Sequence, residues 1–220
     1  MHARKTQHDQ VTRLFAAPSV GIVEPANFYG QLNFGEFSKA RVFLHITSFT
    51  GAKDGRKVQF TYEGYTDPDT EDGKAVFIAN TGDGQKIVVK FTEVYNDAGH
   101  SLLAADGLAP PVLSCDRSTF SDFVMAIMGY VDGKQLFHRL FHRFLHETPS
   151  GVLSKVSEAL KTPHANNLEF GDLRSPNILV TGQYDIQLVD FDWCGKVGEG
   201  KYPADINLVD IQWPEGVAPD

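Results

Sequence analysis

The chain has 220 residues, 42% hydrophobic and 22% charged, and 28 acidic against 20 basic side chains leave a formal charge of −8. This is the composition of a globular protein of one domain or two small lobes, long enough to bury a core without disulfides or metals. The acidic balance excludes a dominant contact with a phosphate backbone, so no nucleic-acid partner is expected. No apolar run reaches membrane-helix length, so no membrane partner is expected either. Cys115 and Cys194 are the only cysteines, too few for a disulfide framework or a thiolate metal cluster, and they read as free thiols of a reducing compartment. The polar first ten residues and the short apolar stretch broken by Pro18 do not make a signal peptide. An intracellular, cytoplasmic location is the default expectation.

In chain order, residues 1–55 show no sustained period and are read as an N-terminal extension of uncertain structure. From Lys57 the segment Lys-Val-Gln-Phe-Thr-Tyr alternates as a strand does, and 74–80 and 85–91, joined by Thr-Gly-Asp-Gly, form a β-hairpin pattern. Between them lies an acidic, turn-rich loop containing Asp67, Asp69, Glu71 and Asp72. Residues 97–106 suit a short helix ended by Gly107 before Pro110 and Pro111. Residues 123–131 form an apolar run of strand length. Phe137, Leu140, Phe141 and Phe144 then recur at helical spacing, and 152–160 predicts a further helix. The segments 178–181 and 186–189, separated by Gly182 to Asp185, predict a small hairpin. His138, His142 and His146 fall on one helix face, but Arg139 and Arg143 interleave with them, which favours a solvated polar face over a zinc site. Trp193 and Trp213 read as packing residues near the tail. The order of elements predicts an α+β fold.

The chemistry concentrates in Glu-Phe-Gly-Asp-Leu-Arg-Ser-Pro-Asn-Ile-Leu-Val, residues 169–180, followed by Gln-Leu-Val-Asp-Phe-Asp, residues 187–192. Asp172 and Asn177 have the separation of the acid and amide of a kinase catalytic loop, and Asp190-Phe191 follows across a hairpin as a magnesium-binding Asp-Phe-Gly motif does. Here the sequence resembles the protein-kinase-like superfamily. Phosphoryl transfer needs positioning and charge neutralisation more than covalent help, and a loop followed by a hairpin brings three oxygen ligands together. The resemblance implies ATP and Mg2+ as cofactors. It also implies Asp172 as catalytic base, Arg174 as the cation near the transferring phosphate, and Asn177 and Asp190 as metal ligands.

Upstream, Ile87-Val88-Val89-Lys90 looks like the Val-Ala-Ile-Lys strand, which implies that Lys90 contacts the nucleotide phosphates. Asp97 or, with a register shift, Asn96 would be its partner, where a Glu is usual. Phe123 to Gly133 is similar to the strand and hinge beside the adenine, with Met128 as gatekeeper and Gly129, Tyr130 and Val131 offering backbone hydrogen bonds. The strings Val-Val-Lys-Phe, His-Ser-Leu-Leu-Ala-Ala-Asp-Gly-Leu-Ala-Pro-Pro and Asp-Phe-Asp-Trp-Cys-Gly-Lys look like those of a group of fungal protein-kinase-like domains. The implied architecture is two-lobed, with an antiparallel N-lobe sheet at 56–131 and a shortened C-lobe at 132–220.

Several positions depart from the protein-kinase pattern. Gly171-Asp172, and Asp192 in place of a glycine, have the form found in aminoglycoside and choline phosphotransferases. The phosphate-covering loop keeps only Gly64 and Gly73 and carries acidic residues, which repel phosphates. Trp213-Pro214-Glu215 stands where an activation segment closes. The first expectation is therefore an ATP- and magnesium-dependent phosphotransferase acting on a protein Ser or Thr hydroxyl. The alternatives are a small-molecule kinase of the aminoglycoside or choline type, or a pseudokinase serving as an interaction module.

Overall fold

The computed structural model describes residues 45–66, 75–119, 122–136, 150–182 and 185–199. The acidic loop residues 67–72, Gly73, the histidine stripe at 138–146, all but the first residue of the helix expected over 136–145, and Trp213-Pro214-Glu215 lie outside them. The described residues fall into two compact units. One takes the chain up to residue 92 together with 113–130, and the other takes 93–112 with the residues from 131 onward.

The first unit is a six-stranded sheet in the order β1-β2-β3-β4-β6-β5. Its strands are β1 (Ser48–Thr50), β2 (Lys57–Tyr65), β3 (Ala75–Thr81), β4 (Lys86–Thr92), β5 (Val112–Asp116) and β6 (Val124–Gly129). The alternation in the sequence becomes a face. Register pairs Phe77 with Val89 and Val89 with Ile127, and pairs Ala75 with Phe91 and Phe91 with Met125. These residues, with Phe49, Phe60, Ala79 and Ile87, form one buried cluster. Its aromatic rings meet at edges and tilts, Tyr62 against Phe77 at 5.2 Å and Phe77 against Phe91 at 6.3 Å, the geometry that ring quadrupoles favour. A bulge between Tyr62 and Gly64 interrupts the β2–β3 ladder.

Two strands correct the sequence reading. β1 lies inside the stretch assigned to an N-terminal extension, where Phe49 enters the core. β5 was not anticipated because Val112-Leu113-Ser114-Cys115-Asp116 lacks alternation and only Ser114 is fully buried.

The second unit holds α1 (Asp97–Ala105), β7 (Lys134–Gln135), α2 (Ser150–Ala159), α3 (Lys161–Ala165), β8 (Leu168–Glu169), a 3-10 turn (Ser175–Asn177), β9 (Ile178–Val180), β10 (Ile186–Leu188) and β11 (Gly195–Lys196). Asn96 caps α1, its side chain accepting a hydrogen bond from Gly99 N at 2.8 Å. At the other end Gly107 adopts φ +72°, Leu108 N–H reaches Leu103 O at 2.9 Å and Gly107 N–H reaches Ala104 O at 3.1 Å. Those two bonds are a Schellman stop, which places glycine where the helix ends. Along α2 and just beyond it, Val152, Val156, Ala159 and Leu160 are buried, as the helical period predicts. β9 and β10 pair antiparallel as the expected hairpin, Ile178 opposite Leu188 and Val180 opposite Ile186, and β7 joins β9 on its other edge. Two short strands, β8 and β11, pair Glu169 with Gly195. Among the described residues no helix is long and apolar enough to cross a membrane, and both cysteines are free thiols.

Candidate active site

Asp172, Arg174, Asn177 and Asp190 all belong to the second unit, where the local backbone brings them together. Phe170 and Leu173 are buried apolar anchors on either side of Gly171-Asp172. Between the anchors the chain turns sharply: Asp172 N–H bonds Phe170 O at 3.0 Å, with Gly171 at φ +80° in the middle. This is a γ-turn of the rarer hand, which a side chain would strain. A Cβ at position 171 would also lie 2.0 Å from Trp193 O, so the turn requires glycine twice over. The next bonds, Arg174 N–H to Asp172 O at 3.0 Å and Asn177 N–H to Arg174 O at 2.9 Å, wind the loop into the 3-10 turn.

The outcome is a buried carboxylate under tight control, Asp172 being 4% exposed. Arg174 forks onto it, Nε to Oδ1 and Nη2 to Oδ2, the second bond at 2.6 Å. Asn177 Nδ2 donates to the same Oδ2 at 2.8 Å and to Asp172 O at 3.0 Å. A carboxylate has about four acceptor positions, and these three side-chain bonds leave one on Oδ1 for a proton donor. Because the Asn177 amide hydrogens face Asp172, its Oδ1 is left as an oxygen ligand.

Asp190 follows β10. Val189 N–H bonds Asn177 O at 3.0 Å, tying the two expected metal ligands by backbone. Asp190 sits at φ +72°, a left-handed conformation that costs energy for a residue with a side chain. What holds it there comes from the next residues. Phe191 is fully buried, edge-on to Phe170 at 5.2 Å and stacked on His100 at 4.4 Å and 13°. His100, 1% exposed, is fixed by Tyr95 Oη on Nδ1 at 2.6 Å and by Pro110 O on Nε2 at 2.8 Å. Asn96 N–H reaches Phe191 O at 3.2 Å and Asn96 Nδ2 reaches Cys194 O at 3.0 Å. A Cβ at Gly99 would stand 2.5 Å from Cys194 Sγ, so the helix lies hard against this segment. Burial pushes the Cys194 thiol up to about 12, which makes it a packing group and not a nucleophile.

The donor set of Asn177 and Asp190, a carboxamide oxygen and a carboxylate, fits a hard cation such as Mg2+, which takes one or two protein oxygens and completes its shell with phosphates and water. Among the described residues no group of three or more His, Cys, Asp or Glu could hold a metal.

The other expected site residues lie elsewhere. Lys90, 7% exposed, sits in β4 between Val76 and Ala126. Met128 lies opposite Val88, so Lys90 and Met128 share the sheet face that turns away from the aromatic core. Gly129 pairs with Ile87. Tyr130 N–H does not stand open as a hinge donor, because it extends the ladder to Lys86 O at 3.1 Å, while the Lys86 ammonium lies 5.2 Å over the Tyr130 ring. Val131 O accepts from Gly133 N–H at 2.9 Å. Asp97 occupies the first turn of α1 in the second unit, while Lys90 lies in the first. The Asn96 carboxamide caps α1 through its oxygen and donates to Cys194 O through Nδ2.

Sequence reasoning named Asn96 only as a partner for Lys90, and it missed Asn96, His100 and Trp193 as supports of the Asp190 segment and the Gly171 turn. Their roles depend on groups that are 90 or more residues away in the chain for Asn96 and His100, and on the Gly171 turn for Trp193. A polar residue at a helix start followed four residues later by a histidine was the only local signal.

No protein-family model matches the chain. It is 26% identical over 196 residues to developmentally-regulated protein kinase 1 of Dictyostelium discoideum, covering 86% of this chain and 23% of that protein. It is 32% identical over 96 residues to human serine/threonine-protein kinase Sgk2, covering 43% of this chain and 25% of that one. The chain thus spans a quarter or less of the length of these relatives. Its fold is similar to that of the Cydia pomonella granulovirus kinase PK-1, with a TM-score of 0.50 and 18% identity over 63% of this chain and 53% of that one. Together with the antiparallel sheet and the few helices, these likenesses fit a protein-kinase-like α+β fold.

Proposed function

We propose that this protein-kinase-like domain transfers the γ-phosphoryl of ATP, in the presence of Mg2+, to a hydroxyl group, with a protein Ser or Thr as the first choice of acceptor. The observation that carries this reading is the convergence on Asp172. One buried carboxylate is oriented by Arg174 and Asn177 and keeps one acceptor position, and the Asn177 carbonyl accepts from Val189, the neighbour of Asp190. The acceptor hydroxyl gives its proton to Asp172 Oδ1 as its oxygen bonds to the γ-phosphorus, and the bond from that phosphorus to the β-bridging oxygen breaks with its electron pair leaving on ADP. Bound Mg2+ supplies charge neutralisation across the phosphates. Asn177 and Asp190 would hold it, and Arg174 would add positive charge.

A small-molecule hydroxyl acceptor is the second reading, favoured by Gly171. In place of a long side chain before the catalytic carboxylate, the chain has a turn closed onto Trp193 O.

The decisive measurement is a thermal-shift titration with ATP and Mg2+. Binding at 100 times the dissociation constant raises stability by about 2.7 kcal/mol, and Asp190→Ala should remove most of the magnesium-dependent part. No stabilisation at millimolar nucleotide would overturn both enzyme readings and leave a pseudokinase. Transfer of labelled phosphate to amino alcohols or sugars, and none to protein, would select the second reading.

A further inference from the structure

We propose that Trp193 is a positioning residue for Arg174 and, through it, for the Asp172 carboxylate. The proposal rests on the phosphotransfer reading of this site and adds to it a residue whose sequence context suggests only packing. Trp193 meets the catalytic loop on both sides of Asp172. Before it, the Trp193 carbonyl oxygen occupies the space that a side chain at 171 would need. After it, the Arg174 guanidinium carbon lies 5.8 Å from the centroid of the Trp193 ring. The β8–β11 pairing of Glu169 with Gly195 holds the two strands of chain in that alignment.

The geometry allows both Arg174 interactions at once. A guanidinium donates hydrogen bonds in its own plane and presents its cationic face to a ring above or below that plane, so the fork onto Asp172 and the approach to the indole do not compete. The need for such a brace follows from exposure. The Arg174 side chain is 27% exposed against 5% for Asp172, and an arginine that reaches water gives up rotamer entropy when it is held in one geometry. The ring limits those rotamers and shields one face of the fork from solvent. Trp193 lies three residues after Asp190, so the turn that carries the metal carboxylate also sets the cation beside the base.

The direct test is the side-chain Nε–H signal of Arg174 in a 15N-correlated NMR spectrum, assigned by its loss in Arg174→Lys. In the wild type this proton should be protected from exchange and show nuclear Overhauser contacts to the indole. Trp193→Phe should keep the protection, and Trp193→Leu, which retains apolar bulk without a ring, should lose it. A protected Arg174 Nε–H in Trp193→Leu overturns the proposal. Should that variant fail to fold, the absence of indole contacts in the wild type overturns it equally. In phosphotransfer assays Trp193→Leu should lower kcat by about tenfold or more with KM for ATP within about twofold, and Trp193→Phe should restore kcat. An unchanged kcat in Trp193→Leu counts against the proposal. Absence of any transfer by the wild type refutes the phosphotransfer reading instead, and the NMR result still decides the place of Trp193.

Discussion

In the sheet unit, order comes from repetition. Every second residue of β3 and β4 enters one apolar cluster, each strand repeats the pattern of its neighbour, and the ladder satisfies the backbone. In the unit that carries Asp172, order comes from exceptions: a glycine at φ +80°, an aspartate at φ +72°, a buried imidazole with both nitrogens bonded, and an arginine fork. The contrast shows how a domain of this kind divides its labour. The sheet supplies stability through burial that is insensitive to any one polar contact. The loop spends stability on conformations that only a surrounding network can hold, and those conformations aim the carboxylate and the carboxamide.

The largest expected effect lies in the sheet. Phe77 is 1% exposed and touches rings on neighbouring strands, so Phe77→Ala should cost about 3–5 kcal/mol in chemical denaturation. A cost below about 1 kcal/mol would show that the aromatic cluster does not carry the sheet. Gly171→Ala should come next, at about 2–3 kcal/mol for a strained backbone and a clash with Trp193 O. Unlike Phe77→Ala, it should alter the amide resonances of Asp172, Arg174 and Trp193 while leaving those of β3 and β4 in place. Equal disturbance of both units would break the comparison.

The smallest effect concerns Glu169, whose carboxyl partial burial raises above its ordinary 4.5. A raised acid favours the folded state while it is protonated in both states, and that contribution is lost as the pH climbs through the raised value. Glu169→Gln should therefore melt with the wild type below about pH 4 and slightly above it at neutral pH. A wild type that is the more stable form at neutral pH would mean that the carboxylate makes a favourable contact, making β8 a polar part of the site.

Local chemistry alone determined much of this protein. Two-residue periodicity marked β2, β3 and β4, because one face of a strand must be apolar when only that face is buried. Gly107 marked the end of α1, because the stop needs a left-handed residue. The five-residue spacing from Asp172 to Asn177 and the return at Asp190 singled out these residues through their resemblance to a kinase catalytic loop and the hairpin after it. Short, non-alternating β1 and β5 were illegible, since each gains its strand form from pairing with the strand that follows it in the chain, β2 and β6, and not from a period of its own. For the same reason only the tertiary structure decided that Asn96 holds Phe191 and Cys194, that His100 stacks on Phe191, and that Trp193 stands against Gly171 and Arg174. A hydrogen bond or a ring contact leaves no mark on the spacing of either partner, and its identity emerges only when the chain has closed the distance between them.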